Sequence, residues 1–167
     1  GRQRVALAFQ RGAVMAEKKV RPARVETWLW LAHGLGFAAA HANEILSMYE
    51  NPETLYGERF ITDLSMILTP RQLDILQKTE PEDFIARKDD CAAQKVQILP
   101  YDSQDYPAML REIDAPPVVL YYRGDASIPN RNLTFAMVGT RRPSAYGVEA
   151  TRALATPLAK AGVVLVS

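Results

Sequence analysis

Apolar residues first fall into a helical rhythm at Val25. Val25, Trp28, Leu29 and Ala32 recur every three or four positions, and the helix should stop at "HGLG", residues 33–36, because glycine favours termination. A second helix is expected with Ala38, His41, Ala42, Ile45, Leu46 and Tyr49 on its stripe, ended by "ENP". Asn51 as cap and Pro52 at the first helical position start a short third one. In "LTPRQLDIL", Thr69 caps, Pro70 suits the first position, and Gln72 stands three residues after the cap, the spacing of a capping box. Another helix is expected from about Pro81 to Lys95. Residues 25–95 thus predict a small all-helical domain.

At Val96 the pattern changes. "VQILP" is short, apolar and bounded by proline, the mark of a strand. "YPAMLREI" predicts a brief helix, and "APPVVLYYRGD" a stiff turn before a strand of β-branched and aromatic residues. "LTFAMVG" is a third strand. Ser144 then caps a helix through Val148, Thr151, Leu154, Ala155 and Leu158, Gly162 ends it, and "VVLVS" is a fourth strand. Strand, helix, strand from Phe135 to Ser167 is one βαβ unit, the building block of an open parallel sheet. Such a sheet needs both faces covered and continues for several units, so a chain cut in mid-domain at Ser167 is expected. The fold class is α/β.

Composition narrows the function classes. With 48% hydrophobic and 23% charged residues over 167 positions, the chain has the make-up of a globular protein with one domain or two small ones. A net charge of +1 excludes a global electrostatic funnel. The charge is uneven, however: from Asn130 onward Arg131, Arg141, Arg142, Arg152 and Lys160 face Glu149 alone. Cys91 is the single cysteine, which excludes a disulfide framework or zinc site within one chain and fits a reducing, cytoplasmic setting. It sits in "RKDDCAAQK" with no histidine nearby, so a small helix residue is expected rather than a catalytic thiol. No run approaches the length of a transmembrane helix. The first fourteen residues hold three arginines and no acid, and residues 1–24 are expected to be a basic tail without a role in the fold.

The chemistry concentrates in "GTRRPS", residues 139–144. Arg141 and Arg142 stand at a helix N-terminus, where cations oppose the macrodipole at a cost of roughly 0.3–1 kcal/mol each. In βαβ units ligands collect at this place, and free backbone N–H groups make it an anion site. A phosphate there would turn both arginines into forked, charge-assisted donors. A dinucleotide fingerprint needs G-x-G-x-x-G, but only Gly139 precedes Gly147 and Arg141 holds the middle glycine's place; no Walker A lysine follows either. Nicotinamide and ATP are therefore disfavoured. The competing reading is a structural loop with solvated charges. In "HGLG", Gly34 and Gly36 flank a leucine as in a helix-hairpin-helix, whose backbone amides approach a DNA phosphate. A plain turn is favoured there, because the following helix is poor in Lys and Arg. His33 and His41 lack partners at metal-ligand spacing, and Trp28, Trp30, Tyr121 and Tyr122 are expected in packing. No metal site and no nucleophile–base–acid set emerges.

The residues "YPAMLREIDAPPVVLYYRGD", then "MVGTRRPSAYG", then "GVVLVS", resemble the DNA-processing protein A (DprA/Smf) family of bacterial natural transformation. The resemblance extends back to Val25 through "AHGLG", where the family has an "LPGLG"-like turn in a small SAM/helix-hairpin-helix-like domain. It implies an extended Rossmann-like fold over residues 96–167 that binds single-stranded DNA and hands it to the RecA recombinase, with no cofactor and no bond change. It also implies a homodimer for the intact family. The family's pocket uses the arginine of a "G-[ST]-R" turn, here Arg141 beside Gly139 and Thr140. Arg142, Ser144 and Gly147 match the rest of the motif, and Ser167 opens a glycine-rich segment that the family continues. Two alternatives stand beside it. One is a Rossmann-like enzyme hydrolysing nucleoside monophosphates, whose "PGGxGT" stretch does not occur in these residues; the other is an inactive structural fragment.

Overall fold

The computed structural model describes residues 24–36, 41–49 and 51–167. The expected tail to Ala23, and Ala38 of the second helical stripe, lie outside the described residues.

Helix α1 (Val25–Leu35) organises the N-terminal part. The sequence pattern predicts one buried face, yet Trp28, Leu29, Trp30 and Leu31 are all fully buried, while Val25 and Ala32 are only partly so. A helix that is apolar all round is a central helix. Around it pack α3 (Pro52–Glu58), α4 (Pro70–Lys78), a 3-10 turn (Pro81–Phe84) and α5 (Ile85–Ala93). The one helix expected over 81–95 is thus a 3-10 turn continuing into α5. Gly34 lies inside α1, and a β-carbon there would stand 2.1 Å from Leu76 Cδ2, so this glycine lets α4 approach. Gly36, at φ 76, stops the helix while its N–H donates to the Ala32 carbonyl.

Local capping follows the sequence. Asn51 accepts from the Glu53 amide (2.8 Å) ahead of α3, and the Thr69–Gln72 capping box is closed in both directions. α2 (Ala42–Met48) buries Ala42 and Ile45. Arg24, counted with the tail in the sequence reading, is engaged: its amide and Nε reach Glu53 Oε1 at 3.0 and 3.2 Å, and its guanidinium meets Glu82 at 3.0 Å.

Strands β1 (Gln97–Pro100) and β2 (Val119–Tyr122) pair antiparallel, from Gln97 opposite Tyr122 to Pro100 opposite Val119. The expected parallel sheet therefore does not begin at residue 96. The physical reason is that Val118 and Val119 belong to the same core as Trp28 and Leu31, which fixes this ladder against α1. Between the strands, α6 (Ala108–Arg111) follows the buried Tyr106, whose hydroxyl donates to the Pro117 carbonyl at 2.7 Å. A short α7 (Ile128–Arg131), absent from the sequence reading, is tied back by Asn130, which accepts from the Ala108 amide (2.8 Å) and donates to Tyr106 O.

The expected βαβ unit is present. β3 (Thr134–Ala136) pairs parallel with β4 (Val164–Val166), Thr134 opposite Val164, and α8 (Ala145–Lys160) connects them. Fully buried residues run from Thr27 to Val119, whereas no residue of 134–167 is fully buried. The molecule is mixed helix and sheet, with its core around α1.

Candidate nucleic-acid interface

The parallel ladder extends one bond past β3, where the Met137 amide donates to Val166 O at 2.8 Å. The chain then turns through residues 138–144. Thr140 Oγ1 accepts from the Arg142 amide at 3.3 Å, and Ser144, in extended conformation, accepts from the Gly147 amide at 3.2 Å. Ser144 therefore works as the N-cap of α8, which leaves the amides of the first helical positions, Ala145 and Tyr146, pointing out of the helix end. At the other end Gly162, at φ 82, closes a Schellman motif: its amide donates to Ala159 O and that of Val163 to Leu158 O.

A cavity of about 740 Å³ opens beside this turn, within the range of ligand-binding clefts. Gly139, Thr140 and Ser144 form its wall on the turn, and Gly147, Val148, Thr151 and Arg152 its wall on α8. Leu165 and Ser167 line it from the end of β4. Five of the residues expected at the site, Gly139, Thr140, Ser144, Gly147 and Ser167, are thus brought together. Arg141 and Arg142 are exposed in the same turn but are not part of the cavity wall. Arg152 is the charged residue that lines it, and the sequence reading did not single it out. A signal existed: Val148, Thr151, Arg152 and Ala155 are spaced i, i+3, i+4, i+7, so this arginine shares a stripe with apolar and small residues.

The two glycines differ in what they need. Nothing stands within 4 Å of the place a β-carbon would take at Gly139, which leaves the backbone there open to close approach from outside. At Gly147 a β-carbon would make ordinary contacts, 3.5 Å to Ser144 Oγ, so crowding does not require glycine.

Charge is unbalanced around the cavity. Arg131 is held by Asp125 at 2.5 Å, and Arg24, Arg59, Lys78 and Lys88 each have a carboxylate partner. Among the described residues, no carboxylate lies within ion-pair distance of Arg141, Arg142 or Arg152.

The other sequence candidates lie elsewhere. Gly34 packs on Leu76 and Gly36 ends α1, while residues 37–40 of the expected hairpin turn lie outside the described residues. Trp28 and Trp30 are buried around α1, and Trp30 Nε1 donates to Thr79 O at 3.0 Å. His33 stacks near Phe84, ring centroids 5.3 Å apart. Among the described residues no helix is long and apolar enough to cross a membrane.

Comparison with known proteins adds the ancestry of this geometry. The family model of DNA recombination-mediator protein A matches residues 97–167, from β1 through the turn and α8 to the end of β4. The likeness to that family lies in this segment, which is less than half of the chain. The chain is 35% identical over 74 residues to the DNA processing protein DprA of Bacillus subtilis, covering 44% of this chain and 25% of the relative. It is 40% identical over 78 residues to Protein Smf of Synechocystis sp., covering 42% of this chain and 19% of that protein. Protein Smf of Borreliella burgdorferi is 40% identical over 74 residues, 44% of this chain and 22% of the relative. The match spans a quarter or less of the length of these relatives. The family resemblance read from Val25 onward is thus carried by residues 97–167, and α1 to α5 fall outside the matched segment. No solved structure matches the chain.

Proposed function

We propose that this chain binds single-stranded DNA through phosphate contacts at the turn 138–144 and α8, as part of a DNA-processing protein that mediates recombination in transformation. The observation that carries this reading is the cavity beside the turn. Its wall offers hydroxyls, an open glycine backbone and Arg152, with two further unpaired arginines in the adjoining turn. That set suits a phosphodiester and holds no carboxylate, imidazole or thiol for acid–base or nucleophilic chemistry. A binding protein is therefore favoured over a nucleotide hydrolase. The family match over 97–167 supports the same reading.

In this reading β3, α8 and β4 are the start of a Rossmann-like sheet, and the site lies at the carboxyl end of its strands. Handing the strand to RecA, forming a homodimer and acting in the cytoplasm are proposed for the whole protein. Single strands are held mainly by backbone charge, with little base readout.

The test is a fluorescence-anisotropy titration of the chain with labelled dT oligomers at two salt concentrations. Arg141→Ala should weaken binding to every sequence alike and lower the salt slope by about 0.7, the value for one phosphate contact on a single strand. A loss confined to one base composition would contradict the assignment. Absence of any binding by the folded chain would end this reading for the chain.

A further inference from the structure

We propose that Arg152 is the second anchor of this site, holding a phosphate of the bound strand other than the one seated at the turn. The proposal rests on the phosphate reading of the turn and goes beyond it in naming a residue and a second phosphate contact. Arg152 is the cation in the cavity wall, exposed and without a carboxylate partner. Glu149, three residues before it, forms no ion pair with it within 4 Å.

Arg152 stands eight positions after the Ser144 cap, an advance of about 12 Å along the helix axis that a long side chain leaning back toward the N-terminus shortens. The turn and the guanidinium are thus two separate points along one cavity wall, an arrangement suited to two phosphates in series on one strand. Between the two ends the wall is Val148 and Leu165, apolar surface suited to bases and sugars rather than to more phosphate. Thr151, beside Arg152, is occupied at its hydroxyl by Gly147 O at 2.8 Å, so the guanidinium is the donor at this end.

The experiment is competition of labelled dT12 by unlabelled thymidine monophosphate, dT2, dT4 and dT8, on the wild-type chain, Arg152→Ala, Arg152→Lys and Arg141→Ala. Circular dichroism checks that each variant keeps its helix content. The wild type should favour dT4 over dT2 steeply, and Arg152→Ala should lose that step together with about tenfold of dT12 affinity and about 0.7 of the salt slope. Arg152→Lys should keep the slope. If Arg152→Ala binds like the wild type while Arg141→Ala is impaired, the phosphate reading stands and the role of Arg152 is overturned. If thymidine monophosphate competes as well as dT4, the second phosphate contact is overturned. If both alanine variants bind dT12 unchanged, both readings fall.

Discussion

Gly34 illustrates how a residue changes meaning between sequence and structure. Along the chain it is half of a G-x-G turn signal; in the fold it is the point where α1 and α4 touch, with room for hydrogen only against Leu76. Gly34→Ala should force the helices apart or displace the Leu76 side chain, lowering stability by about 1–3 kcal/mol in urea unfolding. Combined with Leu76→Ala, the loss should be clearly less than the two separate losses added, because the clash disappears with the leucine. Additive losses would refute the contact. The arginines show the same division at the site. Arg141 and Arg142 were legible from residue type and from their place at a helix start. Arg152 shares a stripe with Val148, Thr151 and Ala155, but that this stripe of α8 lines a cavity is decided by the fold.

At the scale of elements, starts and stops were legible because each is decided within about three residues. Asn51, Thr69, Ser144 and Gly162 all cap where their neighbours predict. α8 contains an exception, since it runs through Pro157. Proline has no N–H for the Ala153 carbonyl, and its ring crowds the preceding turn. Pro157→Ala should therefore strengthen α8 by roughly 1–3 kcal/mol, the helix-propensity gain less the unfolded-state entropy that proline withholds. Slower amide exchange across residues 153–161 is the expected readout; unchanged exchange would mean that the helix is limited by its docking on β4 instead. β1 and β2 were legible as strands, but their pairing with each other was not. Nothing in "VQILP" or "VVLYY" says that they pair antiparallel with each other.

For the molecule as a whole, burial is divided. The core surrounds α1 and ends with Val119, while β3, α8 and β4 contain no fully buried residue. Regions with few buried apolar contacts open at lower free energy than the global transition. Amides of α8 and of the β3–β4 ladder should therefore exchange through a sub-global opening, and those in the middle of α1 only on global unfolding. Native-state hydrogen exchange at increasing denaturant checks this; a single common opening energy would refute it. The division also bears on the site. Its turn and cavity belong to the less buried part, so a bound strand should protect α8 more than α1. The family segment 97–167 straddles both parts, since β1 and β2 pack on α1.

The sequence by itself determined the type and ends of the main elements, the βαβ order of 134–167 and the gathering of hydroxyl and cationic side chains in "GTRRPS". These depend on periodicity, caps and charge within a few neighbouring residues, which are all present in the chain before it folds. Only the tertiary structure decided that α1 is central, that β1 and β2 cover it as an antiparallel pair, and that Arg152 faces the cavity. Each of those depends on surfaces brought together from distant parts of the chain, where apolar area, not local pattern, selects the partner.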